Sequence, residues 1–533
     1  MSRYAALVVG GGHNGLVCAA YLAGRLPGPV LVLERREKVG GVCVTDETFP
    51  GFRFTTAAQV LSLLRPQVIR DLRLHDHGFQ FIPMSTSFAP FPDGRCLLLG
   101  LGEEQDRESI SQFSKCDADV YPKFEATMGR LAAAIRPTLD ALPPDLARLG
   151  ACDLLRAAPL ARGLRRLSPF ERSQLVKVLS MSSAAFVEEW FESKELKSTL
   201  AASGTIGLWG SARTPGTASV LMHFGLGEIG GVPGTWGLVR GGMGALADAL
   251  ASAVRSRGAE IRTGATVARV LVRDGRARGV ELEDGEKIEA DLVVSGADPK
   301  RTFLGMLERS DLPGEFVRGI ERYRMTGNSA KLNLALSELP DFTALPGDGP
   351  HLSGVIEIAG GEPDYLERAF DDFKAGRWSS EPYLDAVIPS VLDESLAPAG
   401  KHVMSIAARF VPYRPASGPW DDRSREALGD TVVETLARYA PNVAGAILHR
   451  QVLTPLDFEQ IYGMTGGNIV HGDMAADQLF SMRPVAGWAG YRTPVAGLYL
   501  CGSGAHPGGG ITGAPGRNAA RAILKDRHRR LGR

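Results

Sequence analysis

Paired cysteines are missing from this sequence. Its six cysteines, Cys18, Cys43, Cys96, Cys116, Cys152 and Cys501, are scattered, with no CxxC pair and no metal-ligand spacing. No disulfide framework and no metal centre are expected, and a reducing compartment fits. Net charge is absent too. Lys+Arg and Asp+Glu both number 60, so no overall field draws the chain to nucleic acid or anionic lipid. Nor is there an uninterrupted hydrophobic run. The most apolar stretch, Ala5–Gly24, is broken by Gly10, Gly11, Gly12, His13, Asn14 and Gly15, so it reads as strand, turn and helix, not as a membrane span. Peripheral contact with a membrane surface is left open. Residues 1–3 lead straight into a strand, so no signal or transit peptide is expected and a cytoplasmic address is. There is no internal repeat, and oligomeric state leaves no mark.

Glycine is in excess, 64 residues and much of it clustered, as where backbone packs closely against something. The chain of 533 residues is long enough for two domains. It opens with a β-α-β unit: a buried strand over Tyr4–Val9, a helix over Asn14–Leu22, and a second buried strand over Val30–Leu33. The turn between the first strand and the helix is Gly10-Gly-Gly-His-Asn-Gly15. Gly10 permits the tight turn, Gly12 lets a pyrophosphate reach the backbone, and Gly15 lets helix and strand pack closely. The pyrophosphate then meets unpaired N–H groups at the helix start, beside His13 and Asn14. Glu34 follows Gly15 by 19 residues, where a carboxylate can accept hydrogen bonds from ribose hydroxyls. Arg35 stands next to it, and the Gly40-Gly41 pair lets the chain pass beside the nucleotide.

A second glycine loop, Gly502 to Thr512, lies between a strand at Gly497–Cys501 and a helix near Ala514–Leu524, with a frayed basic tail expected from Lys525. Such a loop is flat enough to lie along a planar ring. The following helix aims its positive end at a bound group, and a reduced flavin carries negative charge near N1 and O2. Gly502, Gly510, Ile511 and Thr512 are therefore the candidates for the isoalloxazine, and FAD is the expected cofactor. A disulfide reductase would need a second cysteine near Cys43, and a resident NAD(P) site would need another GxGxxG. Gly241-Gly-Met-Gly244 lacks the last glycine. It leads instead into a helix and a small meander over Thr266–Val272, Gly279–Leu282 and Lys287–Ala290, then a strand at Asp291–Ser295. Electrons would therefore pass to oxygen, a quinone or another carrier. His471, Asp473 and His506 are acid-base candidates, although an isolated histidine is more often structural. No catalytic residue is assigned.

These motifs resemble those of the phytoene desaturase-like flavoproteins. The resemblance runs through Val8–Val17, Glu34–Gly41, Leu61–Pro66, Gly241–Leu246, Gly466–Ile469 and Gly497–Gly510, nearly the whole chain. It implies FAD held without a covalent link, with the backbone of Val267 on the adenine side. It also implies redox chemistry on polyene or isoprenoid substrates. Animal members of the family are tied to mitochondrial function, but the want of a presequence argues against the mitochondrial matrix here.

The expected fold is α/β: a Rossmann-type FAD-binding domain, with parallel sheet and small β-meander, and an inserted mixed α+β substrate domain. The first takes residues 1–70, 234–304 and 484–533, and the second takes 71–233, mainly helical, and 305–483. The expected activity is hydride transfer to or from a carbon–carbon bond of a small apolar substrate. An amine or amino-acid oxidase, and a flavin-binding regulatory protein, are the alternatives.

Overall fold

The computed structural model describes residues 3–146 and 150–531. From the N-terminus run strand β1 (Ala6–Val9), helix α1 (His13–Leu22) and strand β2 (Val30–Leu33). The next part of this layer is helix α2 (Met243–Ser256), strand β3 (Glu260–Arg262), a meander of β4 (Val267–Arg273), β5 (Arg276–Leu282) and β6 (Lys287–Glu289), and strand β7 (Val293–Ser295). Strand β8 (Leu498–Leu500) and helix α3 (Ala514–Leu531) complete it. The five strands pair in parallel in the order β3-β2-β1-β7-β8, so three distant segments build one sheet. Strands β1 and β2 read Ala-Leu-Val-Val and Val-Leu-Val-Leu and are buried on both faces, as a covered parallel sheet requires. All ten residues of α1 are buried, with α2 and α3 packed against it. Each such aliphatic side chain contributes roughly 1.5–3 kcal/mol on burial.

A second sheet has seven strands, in the order Ile447–Leu453, Ser329–Leu336, His402–Arg409, Leu384–Val387, Val355–Ile358, Ser87–Pro90 and Cys96–Leu99. Side chains alternate across it. Ala330, Leu332, Leu334, Met404 and Ile406 pack beneath the helix Asp422–Ala437 through Leu428, Val432 and Leu436. The opposite face carries Ser329, Lys331, Asn333, Ser405 and Arg409, all polar and all buried. An unusual floor results: a sheet whose buried face carries charge. A helical layer over residues 103–224 has its own core around Phe124, Leu131, Phe186 and Leu196.

The α/β fold, the parallel sheet and the meander are as expected from the sequence. Four details differ. Strand β3 goes unmarked in the sequence because Glu-Ile-Arg is a short edge strand, exposed at Glu260 and only half-buried beyond it. The stretch 71–233 is not only helical: Ser87–Pro90 and Cys96–Leu99 cross into the seven-stranded sheet. The helical stretch from Pro169 is broken into Pro169–Ser180, Ser183–Glu188 and Lys194–Ala202, where the sequence marks no internal boundary: Ser182 caps a fresh start at Ser183 by accepting from the Ala185 N–H. The C-terminal helix continues to Leu531 and does not fray at Lys525. Among the described residues no helix is long and apolar enough to cross a membrane.

Candidate active site

The cradle follows from the turn after β1. Gly10 has φ +95°, a region that side chains oppose. A Cβ on Gly15 would stand 2.1 Å from the Gly10 carbonyl oxygen, so α1 can start this close only with glycine there. Gly12 has φ −68° and ψ 166°, open to any residue, and it heads α1 with no side-chain cap. A Cβ on it would meet nothing nearer than Gly41 Cα at 3.9 Å. Glycine is kept there by the space in front of it.

That space is a cavity of about 360 Å³. Gly10, Gly12, His13, Asn14, Gly15, Glu34, Arg35, Gly41, Val267, Gly502, Gly510 and Ile511 all line it, so the structure brings twelve of the thirteen expected residues together. Thr512 is the exception. It is buried behind the loop, where its hydroxyl accepts from the Ala514 N–H at 3.1 Å and caps α3. Glu34 does more than the motif implies. Its two carboxylate oxygens accept from the Gly11 N–H at 2.8 Å and the Arg36 N–H at 3.0 Å, fixing the glycine turn against β2. Each oxygen keeps acceptor capacity for a hydroxyl. Arg35 donates to the carbonyls of Gln460 and Ile461, tying the cradle to the other layer.

The cavity is polar in a way that asks for a ligand. His13 Nε2, Asn14 Oδ1, Arg301 Nε and His471 Nδ1 belong to lining residues, are buried, and have no hydrogen-bond partner. A buried polar atom without a partner costs roughly 1–3 kcal/mol. Phosphate oxygens would accept from Arg301 Nε and from a protonated histidine nitrogen, and ribityl or ribose hydroxyls would donate to Asn14 Oδ1, so the residues present fit FAD.

A second cavity, of about 170 Å³, shares a wall with the first: Val42, Met464, Ile469, Gly510 and Ile511 line both. Ile511 has φ +58°, a genuine outlier for a β-branched residue, and such strain collects where a chain is held for function. Most of the second lining is apolar, including Ile206, Val220, Phe224 and Phe458. Its polar members are Gln59, His223, Lys331, Asp385 and Arg409, with Trp236 and Ser329. Lys331 Nζ donates to the carbonyls of Thr55 at 2.6 Å, Ala57 at 3.3 Å and Ala58 at 2.5 Å. Burial pushes its ammonium down to about 7. The three carbonyls act in the opposite sense, because only the charged form supplies three N–H donors. Burial raises Asp385, and Arg409 counters it at 3.3 Å.

His471 joins the first cavity, half-buried, and desolvation there lowers its titration. Asp473 and His506 do not line either cavity. Asp473 pairs with Arg324 at 3.2 Å, and His506 Nε2 meets the Thr138 carbonyl at 2.9 Å. Both are structural. The sequence reading missed Arg301, Tyr462, Lys331 and Arg409. A signal for Lys331 existed: a lysine inside Ser-Ala-Lys-Leu-Asn-Leu-Ala-Leu alternates with aliphatic residues that are plainly core. Also missed was Arg483, fully buried, which donates to the carbonyls of Ser503, Asp473, Gln478, Val470 and Gly472. It locks the 470–478 loop to the glycine loop.

Comparison with known proteins agrees with this geometry. The family model for flavin-containing amine oxidoreductases matches residues 15–524. The pyridine nucleotide-disulfide oxidoreductase domain-containing protein 2 of Rattus norvegicus is 43% identical over 98% of this chain and 94% of its own. One chain of the limonene dehydrogenase of Castellaniella defragrans is 29% identical over 98% of this chain and 94% of its own. Carotenoid desaturases are more distant relatives, in line with the desaturase-like motifs. A solved structure of a putrescine oxidase triple mutant superposes with TM-score 0.62 at 16% identity, covering 99% of both chains.

Proposed function

Because the chain belongs to the family of flavin-containing amine oxidoreductases, and is thus an FAD-dependent oxidoreductase, we propose that it transfers hydride to or from a carbon–carbon bond of an apolar substrate held in the second cavity. The observation that carries this reading is the shared wall: a mostly apolar chamber lies directly behind Gly510 and Ile511 of the glycine loop. When bound, FAD supplies a two-electron acceptor or donor for that hydride.

The chain's own residues do the rest. The first-turn N–H groups of α1 would hold the pyrophosphate, Glu34 would receive the ribose hydroxyls, and the Val267 backbone would meet the adenine side. The aliphatic walls exclude water from the reacting carbon. Lys331, its three N–H groups committed to carbonyls, brings a positive charge in the protonated form that those carbonyls favour. That charge and Arg409 disfavour a protonated amine, which sets the amine-oxidase reading second.

The test is anaerobic titration of the FAD-loaded protein with small isoprenoids, lipids and amines, following loss of the oxidised flavin absorbance. Bleaching by an apolar substrate is expected. Bleaching by an amine, and by no isoprenoid or lipid, would overturn the proposal.

A further inference from the structure

This inference rests on the second cavity being the substrate's place, and it concerns what the substrate carries. We propose that the substrate is an acid, an apolar body bearing one carboxylate, and that the Arg409 guanidinium receives that carboxylate.

Arg409 is only 6% exposed and lines the second cavity but not the first. Its Nη1 donates to Ser329 Oγ at 3.0 Å and its Nη2 to Asp385 Oδ2 at 3.3 Å. Its Nε has no partner. A guanidinium presents its N–H groups as a planar fork that matches a carboxylate, so an N–H left without a partner on a guanidinium that lines a cavity marks an unfilled acceptor site. Ser329 Oγ accepts from Nη1 and not from Nε.

The charge balance points the same way. Burial lowers Lys331 to about 7 while its three carbonyl bonds favour the protonated form; in that form Lys331 and Arg409 bring two positive charges to the lining and Asp385 one negative charge, leaving one positive charge uncompensated. Among the described residues Lys331 forms no ion pair, only its three carbonyl bonds. The two neighbouring titratable groups do not alter the sum near neutrality. His223 is driven to about 4 by burial, and Glu357, the cross-strand neighbour of Asp385, is raised to about 8 by burial and by Asp385. Buried charge is costly unless paired. A hydrocarbon would seal Nε in with nothing to accept from it, whereas a carboxylate would fill the fork and cancel the excess. The chamber's 170 Å³ is below the roughly 300–1,000 Å³ of common ligand sites, which suits a compact body or the end of a longer chain.

The experiment uses FAD-loaded protein near neutral pH with octanoate and methyl octanoate, which share a body and differ in charge. Each is titrated while the flavin absorbance is followed. Octanoate is expected to bind at least about tenfold more tightly than the ester, the factor one charge-assisted hydrogen bond supplies. Arg409→Gln closes that gap, and Arg409→Lys restores part of it. Equal affinities in the unaltered protein, or a gap that persists in Arg409→Gln, would overturn the proposal. The comparison in the unaltered protein decides the matter even if a variant misfolds. If the ester binds and the acid gains nothing, only the carboxylate is wrong; if neither ligand disturbs the flavin, the reading of the chamber falls with it.

Discussion

Asn14 and Ser503, 489 residues apart, are joined by a hydrogen bond: Asn14 Nδ2 donates to Ser503 Oγ at 3.1 Å. The first residues of α1 and the glycine loop after β8 thus meet at one edge of one cavity. That contact exists because β1 and β8 flank β7 in the same parallel sheet, which delivers both loops to the carboxyl ends of the strands, where ligands bind in such sheets.

Arg483 holds this junction. Replacing it with methionine leaves up to five buried carbonyls without their donor. We expect Arg483→Met to lose roughly 3 kcal/mol of stability, the scale of a charged hydrogen-bond network, and to lower flavin content. Denaturant unfolding and the flavin-to-protein absorbance ratio measure the two effects. Unchanged values for both would remove Arg483 from the account.

Lys331 is one of the charges that the sheet floor brings to the second cavity. Lys331→Met should keep FAD, since the residue does not line the first cavity. Substrate-driven flavin reduction should slow at least tenfold, about 1.4 kcal/mol of barrier. Stopped-flow reduction under anaerobic conditions is the readout. An undiminished rate with normal flavin content would show that the charge plays no part.

Acid sensitivity should come from buried histidines. His13, His223 and His506 are held neutral by burial, each with its titration lowered to about 4 from 6.5. Between those values the unfolded chain binds more protons than the folded one. Stability is therefore fully present above about pH 6.5 and is lost as pH falls toward 4, at about 1.4 kcal/mol per pH unit per histidine. Glu357, raised to about 8, works oppositely between its unfolded value of 4.5 and 8, where rising pH weakens the fold. His506 lies outside both cavities, so His506→Gln isolates one titration while keeping a donor toward Thr138. The slope of stability against pH between 4.5 and 6 should fall by about one histidine's share. An unaltered slope would contradict this.

The sequence reveals the cradle more fully than the chamber behind it, for physical reasons. Gly10 and Gly15 are forced by a positive φ and by a 2.1 Å approach, so contiguous residues carry the whole message. Ile511 could be placed because a strand and a helix bracket its loop. Thr512, one residue further on, belongs instead to the cap of α3, a distinction that spacing alone does not make. Lys331, Asp385 and Arg409 come from three strands whose neighbours are set by register: Lys331 and Asp385 both pair with Ala407, while Arg409 pairs with Ser329. No local pattern announces such a row. Its only trace is a polar alternation in strands that are otherwise core.

The measurement that tests the central claim most directly is the flavin content of Gly12→Val. Backbone angles at Gly12 suit valine, and only open cavity stands before it, so the variant should fold with an unfolding midpoint close to that of the unaltered protein. The account predicts a folded protein whose bound FAD falls at least about tenfold, because the side chain fills the place of the pyrophosphate. A folded Gly12→Val variant that retains its full flavin would contradict it.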